Sequence, residues 1–367
     1  FQGRFLVRFH LDKSGGCGYT VPSDRTTETC EARSPEGSCG GLSLFLGGTC
    51  KRRGMKKKRF LTYDEQIAFL KEKKNLEIPD EDYAKQILFQ TGYFPLINGY
   101  KEAYKNPATN QFYEGIAFED IYELYQFDND LRSIFIKYIL MIERNIKSSL
   151  SYHFCCTYGD MQNDYLDISH YDDSGKKKIL IQNMLKIMKG QLRDDSDYAY
   201  IRHYMIKYKY VPLWVLLNVL TLGQLSKIYS CQKGRIQIQI CRDFGAVKIN
   251  EMTKMLAVMT KFRNVCAHND RLFDFRTKDA LCDMKIHERL SLPRESGRYK
   301  YGKNDLFAQM IVLKLLLPED KFESFFHELK RCFRKYPVHK EVLEKMGFPK
   351  KWEKIGRVKR YTKTELK

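Results

Sequence analysis

Apolar residues return at three- and four-residue steps along most of the chain, the period of helices with one face turned to a core. Leu131, Ile134, Phe135, Tyr138, Met141, Ile142, Ile146 and Leu150 trace one side of a long helix. Before it, Thr62 and Glu65 make a capping box for a helix carrying Ile67 and Leu70, and Pro79-Asp80 opens a second through Ile87-Leu88. Residues 92–107, rich in Tyr, Gly and Pro, show no period. Residues 176–192 predict a helix that stops at the acidic break Asp194-Asp195, and Pro212 separates the basic, tyrosine-rich stretch 201–210 from the apolar stretch 213–229. Met252, Met255, Leu256, Met259, Phe262 and Cys266 predict a helix ending near Ala267. The run 306–317 is halted by Pro318, and Phe322, Phe325, Phe326, Leu329 and Phe333 predict the next helix. Residues 342–346 close with Gly347 and Pro349, a helix stop. Strand-like alternation is confined to residues 235–240, and no repeat of fixed period is visible. The expected fold is all-α with a basic C-terminal tail over residues 350–367.

The first 54 residues break this pattern. They are Gly- and Ser-rich, begin Phe1-Gln2-Gly3 like the remnant of a cleaved tag, and read like vector or non-coding sequence. Met55, followed by Lys56-Lys57-Lys58-Arg59, is the expected natural start. The whole chain carries a formal +19, and residues 55–367 alone, with 56 basic and 40 acidic side chains, carry +16. That excess favours an anionic partner. Of the 11 cysteines, four fall within the first 54 residues without CxxC spacing, and the other seven show no pairing pattern. Such usage suits a reducing cytoplasm, the expected location. The best apolar run, residues 213–222, is half the length needed to span a bilayer and contains Asn218, so no membrane association is expected.

Several chemistries lack their motifs. There is no phosphate loop ending in Lys-Ser/Thr, no GxGxxG and no HExxH. His153 with Cys155 and Cys156 lacks a second ligand pair at metal spacing, so buried cysteines are the better reading and no metal or cofactor is expected. Cys266 and His268 would lie about 200° apart around a helix, which disfavours a thiol–imidazole pair.

One segment concentrates usable chemistry: Phe262-Arg263-Asn264-Val265-Cys266-Ala267-His268-Asn269-Asp270-Arg271. An imidazole titrates near neutrality, so His268 can take or give a proton. The planar fork of Arg263 matches phosphate oxygens, and Asn264 can both donate and accept. RNA carries its own nucleophile, the 2′-hydroxyl; cleavage requires proton transfer and stabilisation of charge on phosphorus, and neither step requires a metal. On an ideal helix Arg263 and His268 stand about 140° apart. Either the helix ends or distorts before His268, or a second copy of the motif completes the site. Spacing alone also allows a solvated Arg263 and a His268 that caps the helix dipole.

The segment FRNVCAHNDRLF (262–273) resembles the signature of the Abi-like proteins of the abortive-infection D/F group, members of the HEPN superfamily. Further stretches are similar in order: LTYDEQIAFLKEK (61–73), TGYFPLINGY (91–100), the long helix 118–154 with its Phe-Asp, Leu-Arg and Ile-Glu elements, and residues 203–229. The similarity covers roughly residues 60–275. It implies a HEPN-type helical bundle with additional N- and C-terminal helices: an N-terminal helical region (55–117), a HEPN-like core (118–275), and C-terminal helices with the basic tail (276–367). It further implies a homodimeric, metal-independent endoribonuclease acting as an abortive-infection toxin in anti-phage defence and controlled by a small structured non-coding antitoxin RNA. On this resemblance His268 is the general base or acid, Arg263 stabilises the pentavalent phosphorus, and Asn264 orients substrate or histidine. The products would be a 2′,3′-cyclic phosphate and a 5′-hydroxyl. Silent RNA-binding members make a catalytically inactive RNA binder the alternative, and a scaffolding module is a third reading that the positive charge disfavours.

Other residues are candidates on their own chemistry. Glu143 either supports the arginine across the bundle or serves as an exposed partner of Lys147 four residues on. Arg202, His203, Tyr204, Lys207, Lys209, Arg271, Arg298 and Lys300 combine cations with neighbouring aromatics, the mixture that tracks phosphates and stacks bases. Arg298 and Lys300 are expected on a basic loop between Pro293 and Asn304.

Overall fold

The computed structural model describes residues 59–360 apart from 176, 246 and 337–339. The tag-like segment 1–54, the start at Met55, Lys56–Lys58, and the last seven residues of the basic tail lie outside the described residues. The described chain is all-α, with one two-stranded hairpin of two residues per strand.

Two helices form in series ahead of the long one. α1 (Tyr63–Lys74) starts at the Thr62–Glu65 capping box, and α2 (Glu81–Thr91) starts at Asp80, whose side chain accepts from the Tyr83 amide. The period-free stretch after Gly92 becomes a π-helical turn (Phe94–Asn98) and a short 3-10 turn, which bring Tyr100 into the core. α3 (Phe118–Tyr158) then runs 41 residues, about 60 Å, and buries an apolar stripe along its length.

α4 (Gln162–Leu166), α5 (Lys177–Gln191), α6 (Ala199–Tyr208) and α7 (Leu213–Leu216) follow. α8 (Leu222–Ser230) is capped by Thr221 and Gln224. Residues 235–240, with their brief strand-like Ile-Gln alternation, fold within helix α9 (Gly234–Asp243). Ile236 with Ile240 and Gln237 with Cys241, each one turn apart, bury a helical face, while Ile238 points outward. The helical spacing collects more buried surface here than the alternation, and buried Gln237 donates to the Tyr229 carbonyl at 3.0 Å.

α10 (Ile249–Ala267), the motif helix, packs against α3, α8, α9 and α12. α11 (Lys285–Arg289) precedes the hairpin of β1 (Arg294–Glu295) and β2 (Arg298–Tyr299), whose turn places Ser296 and Gly297 at φ 49° and 78° as a tight hairpin requires. α12 (Leu306–Leu316) is buried on every side, with Gln309 and Lys314 its polar members. Lys314 is satisfied by Glu319 at 2.7 Å and lies over the Phe322 ring. α13 (Glu319–Lys335) lays Phe322, Phe325 and Leu329 inward against α3, and α14 (Lys340–Lys345) follows. The segment after residue 275 therefore packs onto the two helices that carry the candidate chemistry. Among the described residues no helix is long and apolar enough to cross a membrane.

Candidate active site

The motif sits where α10 stops. Phe262, Val265 and Cys266 are buried, which fixes the helix rotation and sends Asn264 and His268 to the surface. The helix ends at Ala267, with His268 as its cap residue at φ −97° and ψ 7°. Asn269 then adopts the left-handed conformation (φ 57°), and the Asp270 amide donates back to the Val265 carbonyl at 3.1 Å, a closure that satisfies the last turn. The α-helix thus ends at the residue before the histidine, whose own amide still bonds back to the Asn264 carbonyl. No side-chain hydrogen bond engages the His268 ring or the Asn264 amide among the described residues.

Arg263 is half-buried and turns towards α3. Its Nε lies 3.9 Å from Oε2 of Glu143, while Oε1 of Glu143 pairs with Lys147 at 2.9 Å. Glu143 is buried rather than exposed, and neither its Oε2 nor Arg263 Nε has a hydrogen-bond partner among the described residues, so their contact is one of charge alone. Glu143 thus shares its charge between a lysine one turn on and the motif arginine on the neighbouring helix, leaving the Arg263 Nη groups outside that contact.

A second polar cluster, absent from the sequence-based candidates, lies beneath the residues that follow His268. Asp128 and Arg132, one turn apart on α3, form an ion pair of 2.6 Å. Both are buried, at 0% and 2% exposure. Asp128 accepts from the Tyr100 hydroxyl at 2.7 Å and from the amides of Leu272 and Phe273 at 2.9 and 2.7 Å. Arg132 also donates to the Asp270 carbonyl at 3.3 Å and to Asn129 at 3.3 Å. Burial pushes the Asp128 carboxyl above its ordinary range, against the opposing pull of Arg132, the two amides and the Tyr100 hydroxyl. The signal in the sequence was an Asp and an Arg four apart inside an otherwise apolar stripe.

The other candidates are dispersed. The Arg271 guanidinium donates to the Gly99 carbonyl and pairs with Asp274 at 2.7 Å, so its bonds tie the post-motif segment to the Tyr100 connection. Arg202, His203, Lys207 and Lys209 are exposed on or just after α6, and Tyr204 is half-buried. His203, Tyr204 and Tyr208 form a ring cluster with centroids 5.3–5.9 Å apart, and Lys207 lies over Tyr208. Arg202 donates to the Ser196 carbonyl at 2.7 Å. A cavity of about 430 Å³ lies beside this helix, lined by residues 192–195, Met205, Ile206 and Lys209; it contains no motif residue. Arg298 and Lys300 are exposed on the hairpin arm, where Lys300 pairs with Glu295 at 2.7 Å.

His153 binds Asp243 at 2.8 Å, and Asp243 also accepts from Ser149 at 2.6 Å. Among the described residues no group of three or more His, Cys, Asp or Glu is placed to hold a metal ion. Burial pushes the Cys266 thiol up to about 12, which makes it a core side chain rather than a nucleophile near neutrality.

These features define an all-α protein in which one helix ends in an exposed histidine and turns an arginine onto a buried carboxylate of the central helix. The sequence profile of the family described as Abi-like protein matches residues 86–274, just over half of the chain, and the chain belongs to that family. The match begins in α2, contains α3 and α10, and ends at Asp274, the partner of Arg271. No curated protein and no solved structure matches the chain.

Proposed function

We propose that this protein is a HEPN-type endoribonuclease of abortive infection, cleaving RNA through attack of its own 2′-hydroxyl on the adjacent phosphate. Family membership supports the defence role. The observation that carries the chemistry is the end of α10, where His268 and Asn264 are exposed without side-chain partners and Arg263 is braced by Glu143. His268 accepts or returns the proton, Arg263 neutralises charge on the pentavalent phosphorus, and Asn264 orients the phosphate or the ring. The bond from phosphorus to the 5′-oxygen breaks as the bond from the 2′-oxygen forms, leaving a 2′,3′-cyclic phosphate and a 5′-hydroxyl. A homodimer would set two such helix ends at one cleft, and the exposed cations and rings of α6 would carry the flanking RNA. A small structured RNA on that surface would hold the enzyme in check.

The test incubates the full chain and its His268→Ala variant with end-labelled structured and unstructured RNA in EDTA, and identifies the fragment ends. Cleavage by wild type alone, with cyclic phosphate ends, is the expected result. Tight, salt-sensitive binding by both proteins without cleavage would replace it with the RNA-binding reading.

A further inference from the structure

The chain that leaves His268 is gripped by groups that the proposed chemistry does not use. Asp270 is held at both backbone polar atoms: its amide donates to the Val265 carbonyl at the end of α10, and its carbonyl accepts from Arg132 on α3. Two residues further on, the Leu272 and Phe273 amides both end on Asp128. Phe273 stacks on Tyr100 at 6.1 Å, and the Tyr100 hydroxyl closes the ring of contacts on Asp128. Between the last helical residue and this grip lie only His268 and Asn269, the latter in the left-handed conformation. The backbone at His268 is thus fixed from both sides while its ring stays at the surface.

Packing alone does not call for this arrangement. A buried ion pair can often be replaced by apolar residues of similar size with little loss of stability, whereas a buried carboxylate that gathers two backbone amides fixes the path of the chain that carries them. We infer that Asp128 and Arg132 are positioning residues for His268, setting the path of residues 270–273 and through it the placement of the imidazole relative to Arg263. The inference rests on the nuclease reading for its kinetic readout only; the placement of the ring is measurable without activity.

The experiment labels the histidines of the full chain with carbon-13 and identifies the His268 signal by its loss in His268→Gln. Wild type is compared with Asp128→Asn, with Arg132→Lys, and with Ile181→Ala, a core variant in α5 that serves as a control for lost stability. Circular dichroism confirms that each is folded at the working temperature. Asp128→Asn is expected to move the His268 resonance and its titration midpoint, and to slow single-turnover cleavage about 100-fold without a matching loss of RNA affinity. Arg132→Lys, which keeps one donor, should fall between, and Ile181→Ala should leave the His268 signal in place. A folded Asp128→Asn variant with wild-type His268 resonance and titration overturns the inference and leaves the pair as a core element. Where Asp128→Asn does not fold, Tyr100→Phe, which removes one donor from Asp128 and keeps the ion pair, is read by the same criterion. Should wild type cleave no RNA, the nuclease reading falls, and the His268 resonance alone decides the positioning role.

Discussion

α3 carries two acid–base pairs of the same spacing, and their surroundings differ. At Asp128–Arg132 the carboxylate accepts from four donors, two of them backbone amides, and the guanidinium reaches a backbone carbonyl while its Nε has no hydrogen-bond partner among the described residues. Glu143–Lys147, fifteen residues on, spends one carboxylate oxygen on lysine and holds the other 3.9 Å from Arg263. In the first pair the charges are consumed by backbone geometry. In the second, part of the field remains directed at a group that can reach phosphate. Spacing on a helix therefore does not distinguish the pair that organises backbone from the pair beside the motif arginine; what else reaches each carboxylate does.

Four outcomes would break or sharpen that contrast. The largest concerns the motif: His268→Ala should lower RNA cleavage by about 100- to 10,000-fold, measured as a single-turnover rate, while thermal stability stays near wild type because the ring is exposed without a partner. Next, Asp128→Ala should cost about 3–5 kcal/mol in denaturant unfolding, since it strands Arg132 in the core. Glu143→Gln, which keeps a hydrogen-bonding group for Lys147, should cost only about 1 kcal/mol yet still slow cleavage. Equal stability losses for these two variants would erase the distinction between the pairs.

A third outcome concerns pH. Buried His287 lies against the Gly302 carbonyl at 2.8 Å through Nε2 and accepts from the Met284 amide through Nδ1, an arrangement for a neutral ring, and burial lowers its pKa below 6.5. The unfolded chain then binds a proton that the folded one refuses, so this contribution is complete above pH 6.5 and is lost as pH falls below it. Asp305, pushed up to about 6 by burial, acts in the opposite sense between its unfolded value of 3.8 and 6. Unfolding midpoints from pH 7.5 to 5.5 should therefore fall more steeply in wild type than in His287→Gln. The smallest effect is on binding: replacing Arg202, Lys207 and Lys209 together by alanine should lower the slope of log affinity against log salt by up to about 2 for single-stranded RNA. An unchanged slope would remove α6 from the RNA path.

The helical architecture was readable because the apolar stripes are long and regular, and α12, apolar but for two residues, announced its own burial. The 235–240 segment was ambiguous because Ile-Gln alternation satisfies the strand period locally, while its helical face is covered by α3 and α10, which are distant in the chain or follow it. Arg263, Asn264 and His268 were legible from chemistry and resemblance. Asp128 and Arg132 entered only as the Phe-Asp and Leu-Arg elements of the resemblance, without a role, since the Tyr100 hydroxyl and the Leu272 amide that meet Asp128 lie 28 and 144 residues away.

The packing of α12 and α13 onto α10 and α3 also bears on timing. A ribosome that has just added His268 has 67 residues still to add before Lys335 completes α13, about 3–13 s at ordinary rates of synthesis. Through that interval the motif exists as peptide, but the wall behind its helix is missing. On the proposed nuclease reading, the order of translation keeps the site unassembled beside ribosomal RNA until α13 has been made.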